Sequence, residues 1–336
     1  MKRKIICTLG PSSFNKSVLL NLKKIGVDIF RINMSHTSIS ELENLIIYLK
    51  KNKIRNICID TEGAQIRTTK VKNKIFFKKK QTVKIANFQK NSFKNIINVY
   101  PNIDLTKIKS GSVIQIGFDN LEMKVKRKHL IQNYITCTVV SEGYLESNKG
   151  VHISRNLNLS PLTEKDLQAI RIARKHNIMF YAMSFVNRGS DIDRLKENIP
   201  KNSFIISKIE TKNSLKNISK ISKRSNALLI DRGDLSRYIP IHQIPVIQEG
   251  IAKLAKQIKI PLYVATNLLE TMIKENNPTR AESHDIFSTF NQGVQGFVLA
   301  AETAIGKDPV ECVKFLKKCL INFEKNKVKK LQRIIK

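Results

Sequence analysis

Eight short runs rich in Ile and Val, most of them separated by longer stretches of helical period, constrain this chain more than any other feature. The strand-like runs lie at 4–9, 28–34, 56–62, 178–185, 204–210, 227–234, 261–266 and 296–301. Helix-period segments fall at 38–51, 163–176, 244–258 and 309–322. Thr163 with Glu164 and Asp166 behind it suits a helix N-terminus. Parallel strands with intervening helices predict an α/β fold, a (β/α)8 TIM barrel, although a doubly wound sheet has a similar rhythm. One interval breaks the pattern. Between about 70 and 157 the runs 81–85, 113–116, 122–125 and 134–140 alternate apolar and polar residues, with no long helix among them. The expected organisation is a catalytic barrel from 1–69 and 158–336, with a β-rich lid domain at 70–157 inserted after the third strand.

The charge balance is unusual: Lys plus Arg number 60 against 27 Asp plus Glu, a net charge of +33. An excess of that size commonly marks a nucleic-acid surface. Here the lysines are spread over nearly every polar stretch, with only short runs such as Lys78-Lys79-Lys80. Abundant Ile, Asn and Lys with 13 Gly and no Trp fit an AT-rich coding sequence. No aromatic stacking cluster accompanies the charge, so nucleic acid is not the expected partner. Five cysteines (Cys7, Cys58, Cys137, Cys312 and Cys319) form no C-x-x-C pair and sit mostly in apolar runs, which predicts buried, reduced thiols of a cytoplasmic protein. The opening Met1-Lys2-Arg3-Lys4 leads into an apolar run too short for a signal peptide. No apolar stretch reaches the roughly 18–20 residues that span a membrane.

Polar residues gather where the strands end, the face that carries active sites in barrels of this type. Strand two ends Arg31-Ile32-Asn33-Met34-Ser35-His36, strand three Asp60-Thr61-Glu62-Gly63 with Arg67 beyond, and strand five Ser207-Lys208-Ile209-Glu210. Strand six ends Asp231-Arg232-Gly233-Asp234 and strand seven Ala265-Thr266-Asn267. Glu210 and Asp234 can share one Mg²⁺ or Mn²⁺, a hard cation that takes carboxylates plus water and substrate oxygens. Asn33, Ser35, Asp60 and Thr61 offer neutral oxygens and a single carboxylate, a set suited to a monovalent cation. Arg31, Arg67 and Lys208 supply fixed positive charge for phosphate. Lys208 and Glu210 are two residues apart and so point to one side of their strand. Taken singly, each has a plainer reading: a rim salt bridge for a strand-end Asp or Arg, a helix cap for His36, a core hydroxyl for Thr266. Their joint occurrence on five strand ends favours a phosphoryl-transfer site.

These motifs resemble the pyruvate kinase family along nearly the whole chain. Lys4-Ile5-Ile6-Cys7-Thr8-Leu9-Gly10-Pro11-Ser12-Ser13 resembles its opening strand and turn, and Phe30-Arg31-Ile32-Asn33-Met34-Ser35-His36 its arginine–asparagine–serine–histidine motif. Ser207-Lys208-Ile209-Glu210 is the most specific match; Pro278-Thr279-Arg280-Ala281-Glu282 and Glu302-Thr303-Ala304 complete the order. The resemblance implies phosphoryl transfer from phosphoenolpyruvate to ADP, with Lys208, Thr266 and Arg31 as catalytic residues. It implies that Arg31, Lys208, Gly233, Asp234 and Thr266 hold the substrate and that Asn33, Ser35, His36, Arg67 and Lys149 lie at the nucleotide. Glu210 and Asp234 would be the Mg²⁺ ligands, and Asn33, Ser35, Asp60 and Thr61 the K⁺ ligands.

Several positions depart from the family. Strand three reads Asp60-Thr61-Glu62-Gly63-Ala64-Gln65, with Glu62 for a lysine and Gln65 for a glutamate, which puts K⁺ dependence in question. Asp231 stands where a small residue is usual, and Asn187 replaces an arginine. Gly117-Phe118-Asp119-Asn120 and His152-Ile153-Ser154-Arg155 differ from the usual lid motifs, and 325–336 reads as a basic, frayed helix end. In the family a C-terminal regulatory domain carries effector binding and one subunit interface, and the expectation is that this chain lacks it. The expectation is therefore an enzyme without sugar-phosphate activation, with a homodimer through barrel helices left open. The competing expectation is a catalytically impaired barrel that binds a phosphorylated ligand.

Overall fold

A computed structural model describes residues 3–87, 96–117, 121–154, 157 and 159–326. The chain forms two compact units, Met1–Gly63 with Glu164–Lys336, and Ala64–Thr163. In chain order the strands are β1 (Lys4–Thr8), β2 (Ile29–Asn33) and β3 (Ile57–Asp60). Nine follow in the second unit: β4 (Ile66–Thr68), β5 (Ile75–Phe77), β6 (Thr82–Asn87), β7 (Ile96–Tyr100), β8 (Val113–Ile116), β9 (Leu121–His129), β10 (Tyr134–Ser141), β11 (Gly143–Leu145) and β12 (Gly150–Ile153). The first unit resumes with β13 (Phe180–Met183), β14 (Phe204–Ile209), β15 (Ala227–Asp231), β16 (Leu262–Ala265) and β17 (Gly296–Leu299).

In the first unit β1, β17, β16, β15, β14, β13, β3 and β2 close into a parallel barrel in that order. This is the eight-stranded barrel that the apolar runs predict, with the β insertion after its third strand. The strands are buried nearly end to end, as parallel strands covered on both faces must be. Alternate residues from different strands pack together: Ile6, Ile29, Cys58, Ala182, Ile206, Leu229, Ala265 and Val298 form one cluster with Tyr263. Gly296 is required by that packing, because a Cβ there would lie 2.2 Å from the Tyr263 ring. Helices begin on local caps. Ser38 accepts from the Glu41 N–H while Glu41 accepts from the Ser38 N–H, starting the helix Ile39–Lys51. Ser38, not His36, is therefore the cap of that helix.

The second unit is also closed, with seven strands in the order β10, β6, β7, β4, β12, β8 and β9, and a separate ribbon of β11 on β5. Its core is the inward half of each alternating strand, including Val83, Ile85, Ile97, Val99, Ile114, Ile116, Met123, Val125, Ile135, Cys137 and Val139. Sequence periodicity marks 81–85, 113–116, 122–125 and 134–140, which correspond to β6, β8, β9 and β10. The three-residue β4, β5 and β11 carry too few residues to show a period, and β7 and β12 fall outside those four segments. β4 pairs with β7 and β12, so the insertion starts at Ala64, some residues before the edge that the sequence suggested. Phe118, Asp119, Asn120 and Arg155 of the altered motifs, and residues 327–336 of the basic tail, lie outside the described residues.

Among the described residues no helix is long and apolar enough to cross a membrane. All five cysteines are buried and unbridged. Burial pushes the thiols of Cys7, Cys137 and Cys312 up to about 12. Thiolate is the reactive form, so a disulfide reagent at neutral pH should label the native protein far more slowly than the denatured chain, in which all five react. Rapid labelling of the native protein would contradict this burial.

Candidate active site

The parity that fills the barrel also builds the site. Two residues beyond the packed Ile29, Cys58, Ala182, Ile206 and Leu229 come Arg31, Asp60, Ser184, Lys208 and Asp231. Side chains two apart on a strand share a face, so this second layer points the same way as the core beneath it. Strand register brings the layer together: Arg31 and Asn33 on β2 face Cys58 and Asp60 on β3, and Lys208 on β14 faces Leu229 on β15.

Lys208 is the hub. Its Nζ lies 2.8 Å from Glu210, 3.4 Å from Asp231 and 3.6 Å from Asp60, and it donates to Ser184 Oγ at 3.1 Å. Arg31 donates from Nε and Nη2 to Asp60 Oδ2 at 2.9 and 2.5 Å, and from Nη1 to Thr8 Oγ1 at 2.8 Å. Lys208, Arg31, Asp60, Glu210 and Asp231 are all buried. Burial, the largest single influence on Lys208, favours the neutral amine, but Asp60, Glu210 and Asp231 together outweigh it and keep the ammonium charged. Burial likewise dominates at Glu210; with Asp234 and Asp231 nearby it pushes the carboxyl up to about 8 despite Lys208. One Glu210 oxygen accepts the Phe185 N–H at 2.6 Å. The other, Oε1, faces the Lys208 ammonium at 2.8 Å.

The ends of β15 and β16 are tied to each other. Thr266 has φ +76°, a left-handed conformation that a β-branched residue adopts only under constraint. The constraint comes from two consecutive residues. The Thr266 hydroxyl donates to Asp231 Oδ1 at 2.6 Å, and Arg232 donates from Nε and Nη2 to the Thr266 carbonyl at 2.9 and 2.6 Å. Arg232 is anchored in turn by Asp285. A Cβ on Gly233 would come within 3.0 Å of Thr266 Cγ2, so that glycine lets the turn approach Thr266 closely. Asp234 follows, 3.3 Å from Arg237. Carboxylate oxygens of Glu210, Asp231 and Asp234 lie within 4.8 Å of one another, a donor set of hard oxygens that fits a divalent cation.

The remaining predicted residues fall into two groups. Asn33 and Asp60 are cross-strand partners, and Ser35 and His36 follow in the turn, where Ser35 N–H donates to Asn33 Oδ1 at 3.0 Å and His36 N–H to the Asn33 carbonyl at 3.1 Å. The Thr61 hydroxyl accepts the Ser184 N–H. Arg67 and Lys149 belong to the second unit. Arg67 pairs with Gly150 and donates to the Asn148 carbonyl, while Lys149 is ion-paired with Glu146 at 2.7 Å.

Two departures from the family pattern are accommodated within the fold. Glu62 is buried and paired with Lys165 at 2.9 Å, so its charge is matched. The buried carboxylate of Asp166 accepts from the Glu62 and Gly63 N–H groups at 2.7 and 3.1 Å and holds the strand-three turn. Asn187 fills its place with hydrogen bonds to Phe185 and Thr211. Sequence reasoning missed Ser184, and it treated Asp231 only as a departure. Both were accessible through the two-residue step from Ala182 and Leu229.

Residues 1–313 match the pyruvate kinase barrel domain. The chain is 32% identical over 332 residues to a pyruvate kinase of Thermotoga maritima, covering 96% of this chain and 71% of that protein. It is 31% identical to plastidial pyruvate kinase 3 of Arabidopsis thaliana, covering 93% of this chain and 56% of that protein. A pyruvate kinase of Sporosarcina psychrophila is also 31% identical, with 96% and 57% covered. Against the latter two, the chain spans little more than half the relative's length.

Proposed function

Because the chain belongs to the pyruvate kinase family, we propose that it transfers a phosphoryl group from phosphoenolpyruvate to ADP, giving pyruvate and ATP. The observation that carries this reading is Lys208, a buried and charged ammonium held beside an acidic triad that suits a divalent cation. Phosphoryl transfer proceeds largely by positioning and charge stabilisation, and a preorganised buried cation supplies both.

In this reading Lys208 neutralises charge on the phosphoryl group in flight, with Arg31 as a second cation fixed by Asp60. Arg31 has five N–H donors, of which the contacts with Asp60 and Thr8 use three. The Gly233–Asp234 backbone and Thr266 receive the substrate carboxylate, and Thr266 lies on the path of the proton that converts the enolate to the ketone. Glu210 and Asp234 would hold Mg²⁺ or Mn²⁺, which would supply positive charge against the phosphate. Asn33, Ser35, Asp60 and Thr61 hold K⁺. His36, with Asn33 and Ser35, meets the nucleotide. The impaired-barrel alternative rested partly on Glu62, and the Lys165 pairing weakens that motive.

Formation of pyruvate from phosphoenolpyruvate and ADP tests the proposal. Turnover should appear with Mg²⁺, vanish with a chelator and return when the cation is restored. Adding K⁺ to a K⁺-free assay shows whether Gln65 has relaxed the monovalent requirement. Turnover unaffected by chelation would remove Glu210 and Asp234 from their assigned role.

A further inference from the structure

The turn that joins β9 to β10 holds two aliphatic side chains in solvent, Leu130 at 70% and Ile131 at 94% exposure. A scattered exposed leucine is ordinary, but two aliphatics together at the apex of a hairpin present an apolar tip. The hairpin also projects. Among the described residues β8 pairs with β9 only from Leu121 to Lys124, and 127–129 run on past it, paired to β10. Behind the tip the surface is basic. Lys124, Lys126, Arg127 and Lys128 on β9 are exposed, as is Lys84 on the adjacent β6. The one carboxylate between 121 and 141, Glu122, sits at the opposite end of β9 and accepts from Gln115. Asp104, in the short turn whose Thr106 carbonyl receives Lys128, is ion-paired with Lys107.

We propose that this hairpin docks the protein on an anionic lipid surface, with Leu130 and Ile131 entering the headgroup layer and the five cations facing lipid phosphates. The two features select different parts of one partner. Aliphatic side chains gain by leaving water for hydrocarbon and gain nothing from phosphate. Lysines and arginines close behind them are attracted by the negative surface potential of an anionic leaflet. A bilayer presents both together. A nucleic acid matches the charge but leaves the tip in water. The nearby ring that could stack a base is already engaged, because Tyr134 stacks on His129 with centroids 4.0 Å apart and the Lys84 ammonium lies over it at 5.1 Å. A second copy meeting this face would bring the same cations, which repel. Such docking is peripheral, needs no spanning segment and does not depend on the reaction proposed above.

The chain contains no tryptophan, so one introduced at the tip reports on that position alone. Full-length Ile131→Trp is mixed with vesicles of phosphatidylcholine and phosphatidylglycerol in equal parts, and with vesicles of phosphatidylcholine only. Its emission should shift to the blue with the anionic vesicles and be quenched by brominated acyl chains. Val246→Trp, at an exposed position on the helix Ile244–Gln257, should show neither effect. Co-sedimentation with the same vesicles measures affinity. Leu130→Ser with Ile131→Ser should bind the anionic vesicles at least about tenfold more weakly than the wild type. Lys126→Gln with Arg127→Gln should also lose about tenfold, and raising the salt from about 0.1 M to about 1 M should weaken wild-type binding. All four side chains are exposed, so both double variants should melt with the wild type. Vesicle binding that survives the two serines would overturn the proposal, because the net charge of +33 would then account for it unaided. So would an unshifted Ile131→Trp emission, or a wild type that binds no vesicle. Oligouridylate binding that needs Lys126 and Arg127, in a protein that ignores vesicles, would make the hairpin a nucleic-acid surface instead.

Discussion

Lys208→Met should lower turnover of phosphoenolpyruvate and ADP by about 10³-fold or more, because it deletes a buried ammonium within reach of Glu210, Asp231 and Asp60. The loss should fall on kcat, since charge that develops in the transition state is what the ammonium offsets. The same substitution removes the common partner of three buried carboxylates, and breaking a buried pair costs about 3–5 kcal/mol. A melt therefore accompanies the kinetics. Lys208→Arg separates the two effects: it keeps the charge and much of the stability, but a planar fork does not reproduce a point charge, so turnover stays low. Near-normal kcat in a folded Lys208→Met protein would remove Lys208 from the chemistry.

The second large effect is structural. Gly296→Val should destabilise the barrel by several kcal/mol, at the upper end of about 1–3 kcal/mol for overpacking or beyond it. The first atom added would already stand 2.2 Å from the Tyr263 ring, and Tyr263 is fully buried. Chemical denaturation should show a lower midpoint with an unchanged slope. Gly296→Val combined with Tyr263→Ala should recover part of the loss, since the clash is between those two residues. Wild-type stability in the single variant would contradict the packing of β16 on β17.

How much of this was legible in the sequence follows from the range of the forces involved. The eight barrel strands show because a parallel strand buried on both faces needs a continuous apolar run, as at 57–59 and 227–230. Lys208 and Glu210 show as partners because two residues on one strand share a face whatever the fold. The contact of Thr266 with Asp231 does not show, because it depends on the pairing of β15 with β16 and on the positive φ of Thr266. Nor does the hold of Asp166 on the strand-three turn: the two lie 104 residues apart, and a first-turn Asp reads equally well as a partner of its own helix dipole. The same limit applies to Glu62, whose charge looked intrusive until Lys165 was placed beside it.

In the proposed reaction this barrel moves a phosphoryl group from phosphoenolpyruvate to ADP. Phosphorus magnetic resonance of the wild-type protein with Mg²⁺, K⁺, phosphoenolpyruvate and ADP tests it most directly. The phosphoenolpyruvate signal should fall as the γ-phosphorus of ATP rises in equal amount. A folded protein that leaves both signals unchanged, or that releases inorganic phosphate instead of ATP, would contradict it.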